Sequence, residues 1–424
     1  MSHNHFIRNL LNLKDDNIFF DDNWLTEAVF KGVLAKIVHA KLTYKPNACY
    51  HCGVVFDQEI IKHGFKTSLI KMPENSGFNT YLSLKKQRYY CRHCNSTFTL
   101  KTPIVAKNCF ISTNTKLSIA VGVKDKISEK DLAKRHNVSH CTVSRIIDQA
   151  FHTYRPSFDW LPENLCFDEF KSVKAASGAM SFIFCDADTG AILDIVEDRR
   201  LPVLEYYFSR YSKSARQSVK RVVIDMYSPY MTLIKKLFTK AKIIIDRFHI
   251  VQLFNRALNK TRIQMMKDDD KNYSKFKKYW KLILSDNSKV DSTRYRYHHS
   301  FKRHMTQSQV LEYLLDQNIE LKATYDYYQH ILFCIKTNNF SLLESQLAPC
   351  NSNVSDYMKT AINTIKKHKS FIENTLSCHY TNGVIEGINN KIKVIKRIAF
   401  GYKSFFHFRN RILITQGILK MKTA

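Results

Sequence analysis

From Gly383 to Phe400 the chain reads GVIEGINNKIKVIKRIAF, with apolar positions three and four residues apart. Ile385, Ile388, Ile392, Ile395 and Ala399 fall on one side of a helix, which predicts a helix that buries this stripe. Glu386, Asn390, Lys393 and Arg397 form a second stripe, a quarter turn or more around. Between Leu165 and Asp246 the pattern differs. LCFDEFKSV, a hairpin MSFIFCDADTGAILDIVED turning at DADTG, VKRVVID and AKIIID predict strands. LPVLEYYFSRYS and the stretches after Pro229 and Asp246 predict helices. The order is three strands, helix, strand, helix, strand, helix. Three antiparallel strands followed by two that alternate with helices give a mixed sheet. About 115 residues then show no strand pattern. FKKYWKLILSD, SQVLEYLLDQN, YDYYQHILFCI and VSDYMKTAINTIKKH are amphipathic, so an all-α segment is expected there.

Ahead of the sheet, SEKDLAKRHNVSHCTVSRIIDQAF predicts a helix-turn-helix. Ser128 and Ser139 are placed to cap the two helices, with Glu129 and Asp131 in the first turn of the first. Leu132, Ala133, Val138, Val143, Ile146 and Ile147 face inward, which leaves His140, Thr142, Ser144 and Arg145 facing out. Ser139, His140, Thr142 and Arg145 are the expected DNA-reading residues; a generic helical hairpin is the plainer reading. Upstream, FKTSLIKM, QRYYCRHC and STFTL alternate like strands. Residues 1–40 read as one or two short helices around Phe19, Trp24, Val29 and Ile37.

Charge narrows the function. The 424 residues carry 66 Lys or Arg against 37 Asp or Glu, a net charge of +29. Such an excess points to a polyanion. No apolar run has transmembrane length, and Asp15 and Asp16 lie where a signal peptide needs an apolar core. A cytoplasmic protein with no membrane partner is expected. From Asn374 to Ala424, Glu386 is the one acidic residue, and nine Lys or Arg follow it. A helix-starting glutamate favoured by the helix dipole is the ordinary explanation.

Cys49 and Cys52 form one CxxC pair, Cys91 and Cys94 another, with 38 residues between them. Two such pairs bring four thiolates to a tetrahedral ion, so one structural Zn²⁺ is expected; a dithiol redox centre is the alternative. His51 and His93, inside the pairs, read as exposed or DNA-facing rather than as ligands, and Cys109 as core.

Asp168 and Asp225 each end or interrupt an apolar strand, where an unpaired charge is costly. If their strands are neighbours, the carboxylates converge and need a cation; hard oxygen ligands suit Mg²⁺ (or Mn²⁺). Glu386, from a helix packed over that sheet, would be the third ligand, with Asn390, Lys393 and Arg397 along a phosphate track. Asp246 also ends a buried strand and could replace Glu386 in a three-aspartate site. Asp186 and Asp188, in a turn, read as structural. His249 either contacts the scissile phosphate or is a packed histidine.

The chain resembles the ISL-three family of bacterial insertion-sequence transposases. The shared features are DEF at Asp168, VVIDMYSPY around Asp225, IIIDRFHIVQ around Asp246 and NGVIEGINNKIKVIKRIAFGYKSFFHFRNRIL around Glu386. A double-CxxC ribbon followed by a helix-turn-helix is shared too, and the resemblance covers nearly the whole chain. It implies a ribonuclease H-like mixed-sheet core whose Asp-Asp-Glu triad is interrupted by a helical insertion. By that match Asp168, Asp225 and Glu386 hold the catalytic metals. The implied chemistry is two-metal phosphoryl transfer, which frees a 3′-OH at each element end and joins it to target DNA. Double-stranded DNA, both element ends and target, is the implied partner of a homo-oligomer that is at least a dimer, nucleoid-associated in a bacterial cytoplasm. No nucleotide cofactor is expected, since GxxxxGK[ST] does not occur.

The expected architecture is multi-domain α/β. It comprises an N-terminal helical segment (1–40), a zinc ribbon (41–106), a helix-turn-helix domain (107–160), the first part of the core (161–260), the all-α insertion (261–375) and the second part of the core (376–424). A non-catalytic DNA-binding regulator on a decayed core, and a structure-specific nuclease on the same core, are the competing readings.

Overall fold

The computed structural model describes residues 3–422 apart from 31, 56–57 and 348–352. The chain forms two compact units: residues 1–154 with 393–402 and 406–424, and residues 155–392 with 403–405.

The first unit is built on a sheet of β1 (Ile18–Phe30), β2 (Val33–Leu42), β3 (Ile60–Lys71), β4 (Asn79–Cys91) and β5 (Ser96–Thr99). Its order is β1-β2-β4-β3, with β5 also on β4; β2 and β4 run parallel and the other pairs antiparallel. Ile18, Val38, Leu42, Ile70, Leu82, Leu84, Tyr89 and Phe98 share its core. The expectation of short helices over residues 1–40 holds only for His3–Leu10; Ile18–Phe30 and Val33–Leu42 instead form a long antiparallel strand pair. The reason is local. The polar run Asp21–Asn23 interrupts the alternation where the register shifts between Phe20 and Leu25. Farther out Val29 is 72% exposed, so the strands lack the one-sided burial that marks a strand in sequence. Cys109 packs against this core, as expected.

The helix-turn-helix follows the sequence pattern closely. Helices Glu129–Arg135 and His140–Ala150 are capped by Ser128 and Ser139, whose side chains accept from the Asp131 and Thr142 N–H groups. Leu132, Ala133, Val143, Ile146 and Ile147 are buried.

The second unit contains a mixed sheet of β6 (Asn164–Lys171), β7 (Met180–Asp186), β8 (Ile192–Val196), β9 (Arg221–Ile224) and β10 (Lys242–Ile245), in the order β10-β9-β6-β7-β8. β6, β7 and β8 are antiparallel neighbours, and β9 and β10 run parallel to β6. Its core is aromatic: Phe167 stacks on Phe208 at 5.4 Å and meets Phe182 edge-on at 5.1 Å. The long helix Arg247–Asp268 then packs against Ile319–Lys336 and Asp356–Lys367. The expected all-α stretch is helical except for a small hairpin, β11 (Arg296–His298) and β12 (Arg303–Met305). Three-residue strands are too short to show a period. Among the described residues no helix is long and apolar enough to cross a membrane.

Candidate active site

In the parallel ladder of β6 with β9, Leu165 pairs with Val222 and Cys166 with Val223. Continued by two residues, that register brings Asp168 level with Asp225. On the other side of β9, Ile245 pairs with Ile224, and the Asp246 N–H donates to the Ile224 carbonyl at 2.9 Å. Asp225 and Asp246 therefore follow the carboxyl ends of β9 and β10, and Asp168 lies within β6 level with them, at the edge where open α/β sheets place their sites. Burial above all, together with the Asp225 charge, pushes the Asp168 carboxyl up to about 7; the Glu169 N–H and the Asn389 amide pull it the other way. Burial also raises Asp246. His249 Nε2 lies 2.9 Å from Asp225 Oδ1, and that hydrogen bond holds the imidazole above its ordinary value against burial.

Glu169, beside Asp168, is engaged elsewhere. It pairs with Arg199 and accepts from the Tyr230 hydroxyl at 2.7 Å.

The Glu386 helix, Gly383–Ile398, buries Ile385, Ile388, Ile392 and Ile395 and exposes Glu386, Asn390, Lys393 and Arg397, as the two stripes predict. The segment before it is tied to the sheet unit at several points. Arg247 Nη2 donates to the carbonyls of Thr375 and Cys378, at 3.2 and 2.5 Å. The Tyr380 hydroxyl donates to Asp188 Oδ1 at 2.8 Å, while Asn164 donates to Asp188 Oδ2 at 2.8 Å. Asp188 is structural, then, and so is Asp186, which accepts from the Asp188 N–H and the Thr189 hydroxyl within its own turn.

Two asparagines not singled out from the sequence complete the docking. Asn382 Nδ2 donates to Asp225 Oδ1 at 2.9 Å, and the Asn382 N–H lies 3.4 Å from Asp246 Oδ1. Asn389 Nδ2 donates to Asp168 Oδ2 at 2.7 Å. Both are buried. The Asn382 carbonyl accepts from the Glu386 N–H at 3.0 Å, which makes Asn382 the opening residue of the helix. Asn382, Glu386 and Asn389 follow i, i+4, i+7 spacing and share one side of it. That spacing was the available signal, but an isolated Asn in a helix reads as a weak helix former rather than as a site.

The donor set, carboxylates on strand ends with neutral amides beside them, suits a hard divalent cation. Among the described residues, however, the four cysteines are the only group of three or more His, Cys, Asp or Glu whose ligand atoms all lie within 4.8 Å of one another. Asp168, Asp225 and Glu386 are not so gathered, and neither are Asp168, Asp225 and Asp246.

The cysteine cluster fits zinc. Cys49 and Cys94 Sγ are 3.7 Å apart, as are Cys52 and Cys91 Sγ. Four sulfurs at about 2.3 Å from a tetrahedral ion stand about 3.8 Å apart. His51 and His93 are exposed, as expected.

On the second helix of the helix-turn-helix, His140 and Arg145 are exposed and Thr142 is half-buried. Ser139 spends its hydroxyl on the cap. Ser144 departs from expectation: its hydroxyl donates to Glu129 Oε2 at 2.5 Å, so it ties the two helices together instead of facing out.

A family model described as "Transposase", of the ISL-three DDE group, matches residues 165–412. A second, the "zinc-finger of transposase IS204/IS1001/IS1096/IS1165", matches residues 45–94. The chain is 23% identical over 403 residues to the "Transposase for insertion sequence element IS1001" of Bordetella parapertussis, covering 88% of this chain and 89% of that protein. It is 34% identical over 114 residues to a Lactococcus lactis subsp. lactis protein named "ATP-dependent protease"; that stretch is 27% of this chain and spans about a third, 36%, of that relative's length. The first model alone covers more than half of the sequence, and the chain belongs to the ISL-three family of transposases.

Proposed function

We propose that the chain binds the terminal inverted repeats of an insertion sequence, cuts DNA strands at its ends and joins the freed 3′-OH groups to target DNA. The core is read as ribonuclease H-like, with Asp168, Asp225 and Glu386 as the metal-binding acids. The observation that carries this reading is the pair of amide contacts from Asn382 to Asp225 and from Asn389 to Asp168, with Glu386 on the same side of the helix between them. The helix is thereby fastened to the two aspartates themselves.

Bound magnesium or manganese ions supply electrostatic stabilisation of the attacking and leaving oxygens. The chain's residues do the rest. Asp168 and Asp225 provide charge at the strand ends, and the two amides fix the orientation of those carboxylates. In cleavage a water oxygen bonds to phosphorus while the bond from phosphorus to the 3′ oxygen breaks, which leaves a 3′-OH. In joining, that 3′ oxygen attacks a target phosphodiester and the target's own 3′ oxygen leaves. His249 is hydrogen-bonded to Asp225; in this reading it orients that carboxylate and contacts the phosphate.

The four-cysteine ribbon and the helix-turn-helix serve as the modules that read the element's ends, with His140, Thr142 and Arg145 towards the bases. Asn390, Lys393 and Arg397 serve on phosphates. The active complex is taken as a homo-oligomer of at least two chains, working on DNA in a bacterial cytoplasm. A three-aspartate site is the second reading, because Asp246 is also level with Asp225. Against it stands Glu386 itself, which lies between the two amides on the same side of the helix.

The test is a nicking and joining assay on a labelled element end with magnesium. Asp168→Asn and Asp225→Asn should abolish cutting while DNA binding persists. Undiminished cutting by either folded variant would refute the assignment.

A further inference from the structure

The hairpin β11–β12 belongs to none of the roles above. From Arg294 to His304 the sequence RYRYHHSFKRH contains no acidic residue. One side of it is anchored. Phe301 packs on Tyr313 at 5.0 Å and on Tyr279 at 5.7 Å, the Tyr279 hydroxyl is 2.9 Å from His298 Nδ1, and Met305 is buried. Tyr295 is 64% and Tyr297 49% exposed, and Arg294, Arg296, Lys302, Arg303 and His304 are exposed as well. Arg296 pairs with Met305 and Arg303 with His298, so these two arginines alternate to the side opposite Tyr297. Tyr297 pairs across the strands with His304, so those two rings stand on the same side of the hairpin. Among the described residues Arg296, Lys302 and Arg303 make no salt bridge, and Arg303 Nε donates to Met305 Sδ at 3.2 Å.

Glu312 and Asp316 line a pocket with Tyr295, Arg303 and His304, but the hairpin itself carries only cations, an excess that favours a polyanion. Exposed tyrosine rings beside them add a second requirement, because a base can stack on a ring only when it has left its own stack. We propose that this hairpin binds DNA carrying unpaired nucleotides. Tyr295 and Tyr297 stack on the free bases, and Arg296, Lys302 and Arg303 hold the phosphates on either side. This rests on DNA being the partner, as the proposed function has it, but needs no catalysis. An anionic membrane surface would satisfy the cations, yet the two tyrosines form no continuous apolar face for it.

The experiment uses the full-length protein without magnesium or manganese. Its binding to a labelled duplex with a single-stranded extension is compared with binding to the same duplex with blunt ends. Tyr295→Ala with Tyr297→Ala should weaken binding to the extended duplex by about tenfold or more and leave the blunt duplex unchanged. Tyr295→Phe with Tyr297→Phe keeps the rings and should bind like the unmodified chain. Arg296→Ala with Arg303→Ala should weaken both complexes and flatten the salt dependence by about one unit for each arginine. A folded double-alanine tyrosine variant that binds the extended duplex at full strength would overturn the proposal. So would hairpin-dependent binding to phosphatidylserine vesicles that exceeds binding to DNA. The two readings separate cleanly. If cutting survives but preference for the extension is independent of the tyrosines, the hairpin proposal fails alone. If the preference depends on the tyrosines but no variant or condition yields cutting, the proposed function fails alone.

Discussion

Asn389 donates its side-chain N–H to Asp168 at 2.7 Å from a position three residues after Glu386, on the side of the helix that faces the sheet carboxylates. Asn382 does the same for Asp225 at 2.9 Å from four residues before. In the proposed site Glu386 is a metal ligand, which requires its helix to be held to within a fraction of an ångström, and the two amides are proposed to supply that hold.

Asn389→Leu and Asn382→Leu test it. In both residues Oδ1 is buried without a hydrogen-bond partner, so leucine removes an orphaned acceptor along with the useful donor. The Asp168 or Asp225 carboxylate loses its amide donor, so folding stability should fall by about 1–3 kcal/mol. Cleavage should fall by about 10–100-fold, and the magnesium concentration for half-maximal cutting should rise. A variant with reduced cutting but unchanged magnesium dependence would show a merely structural role.

Gly190 carries a prediction about stability. It has φ of +73°, and a Cβ there would come within 2.7 Å of Val384 Cγ1 at the start of the Glu386 helix. Gly190→Ala should destabilise the protein by about 1–3 kcal/mol through the left-handed backbone alone, with the clash added. Adding Val384→Ala should recover the clash component and leave the backbone component. Equal melting temperatures for the single and double variants would show that the turn and the helix do not press on each other.

The four cysteines should bind one zinc per chain. Cys49→Ser should lose the metal, unfold the ribbon and weaken binding to element ends, because zinc supplies much of the folding energy of such a module. Metal analysis that found no zinc in a protein with full DNA binding would refute this.

Arg145→Ala should relax sequence preference. Lys393→Ala should instead weaken binding to all sequences and lower the salt slope by about one unit. Ser144→Ala should change stability rather than preference, since its hydroxyl is bonded to Glu129. Identical behaviour of the first two variants would contradict the division between base and phosphate contacts.

What was legible in the sequence follows from how one-sided each environment is. The isoleucines of the Glu386 helix and the caps Ser128 and Ser139 sit in ordinary helices with one buried side, so period and cap chemistry locate them. Asp168 and Asp225 stand out because a charge within an apolar strand has no cheap local partner. The strand pair Ile18–Phe30 and Val33–Leu42 was illegible because β1 is exposed over most of its length and its alternation breaks at a bulge. Asn382 and Asn389 were missed for another reason. Their partners are more than 130 residues away in sequence, and no local pattern reports such a contact. Ser144 was misplaced because helical spacing gives a side chain's direction but not its nearest acceptor.

The most direct measurement is strand cleavage by Glu386→Gln beside Asp246→Asn, each on a labelled element end with magnesium. Glutamine keeps the length of the side chain and leaves Ile385, Ile388, Ile392 and Ile395 buried, so the helix should fold and DNA binding should hold or tighten slightly. Cutting by Glu386→Gln should fall by several orders of magnitude, as when phosphoryl transfer loses its electrostatic clamp. It should match Asp168→Asn and Asp225→Asn, and combining them should add little. Asp246→Asn should retain measurable cutting, since its Oδ1 faces the Asn382 N–H. Normal cutting by Glu386→Gln together with none by a folded Asp246→Asn would make the site three aspartates and contradict the assignment of Glu386.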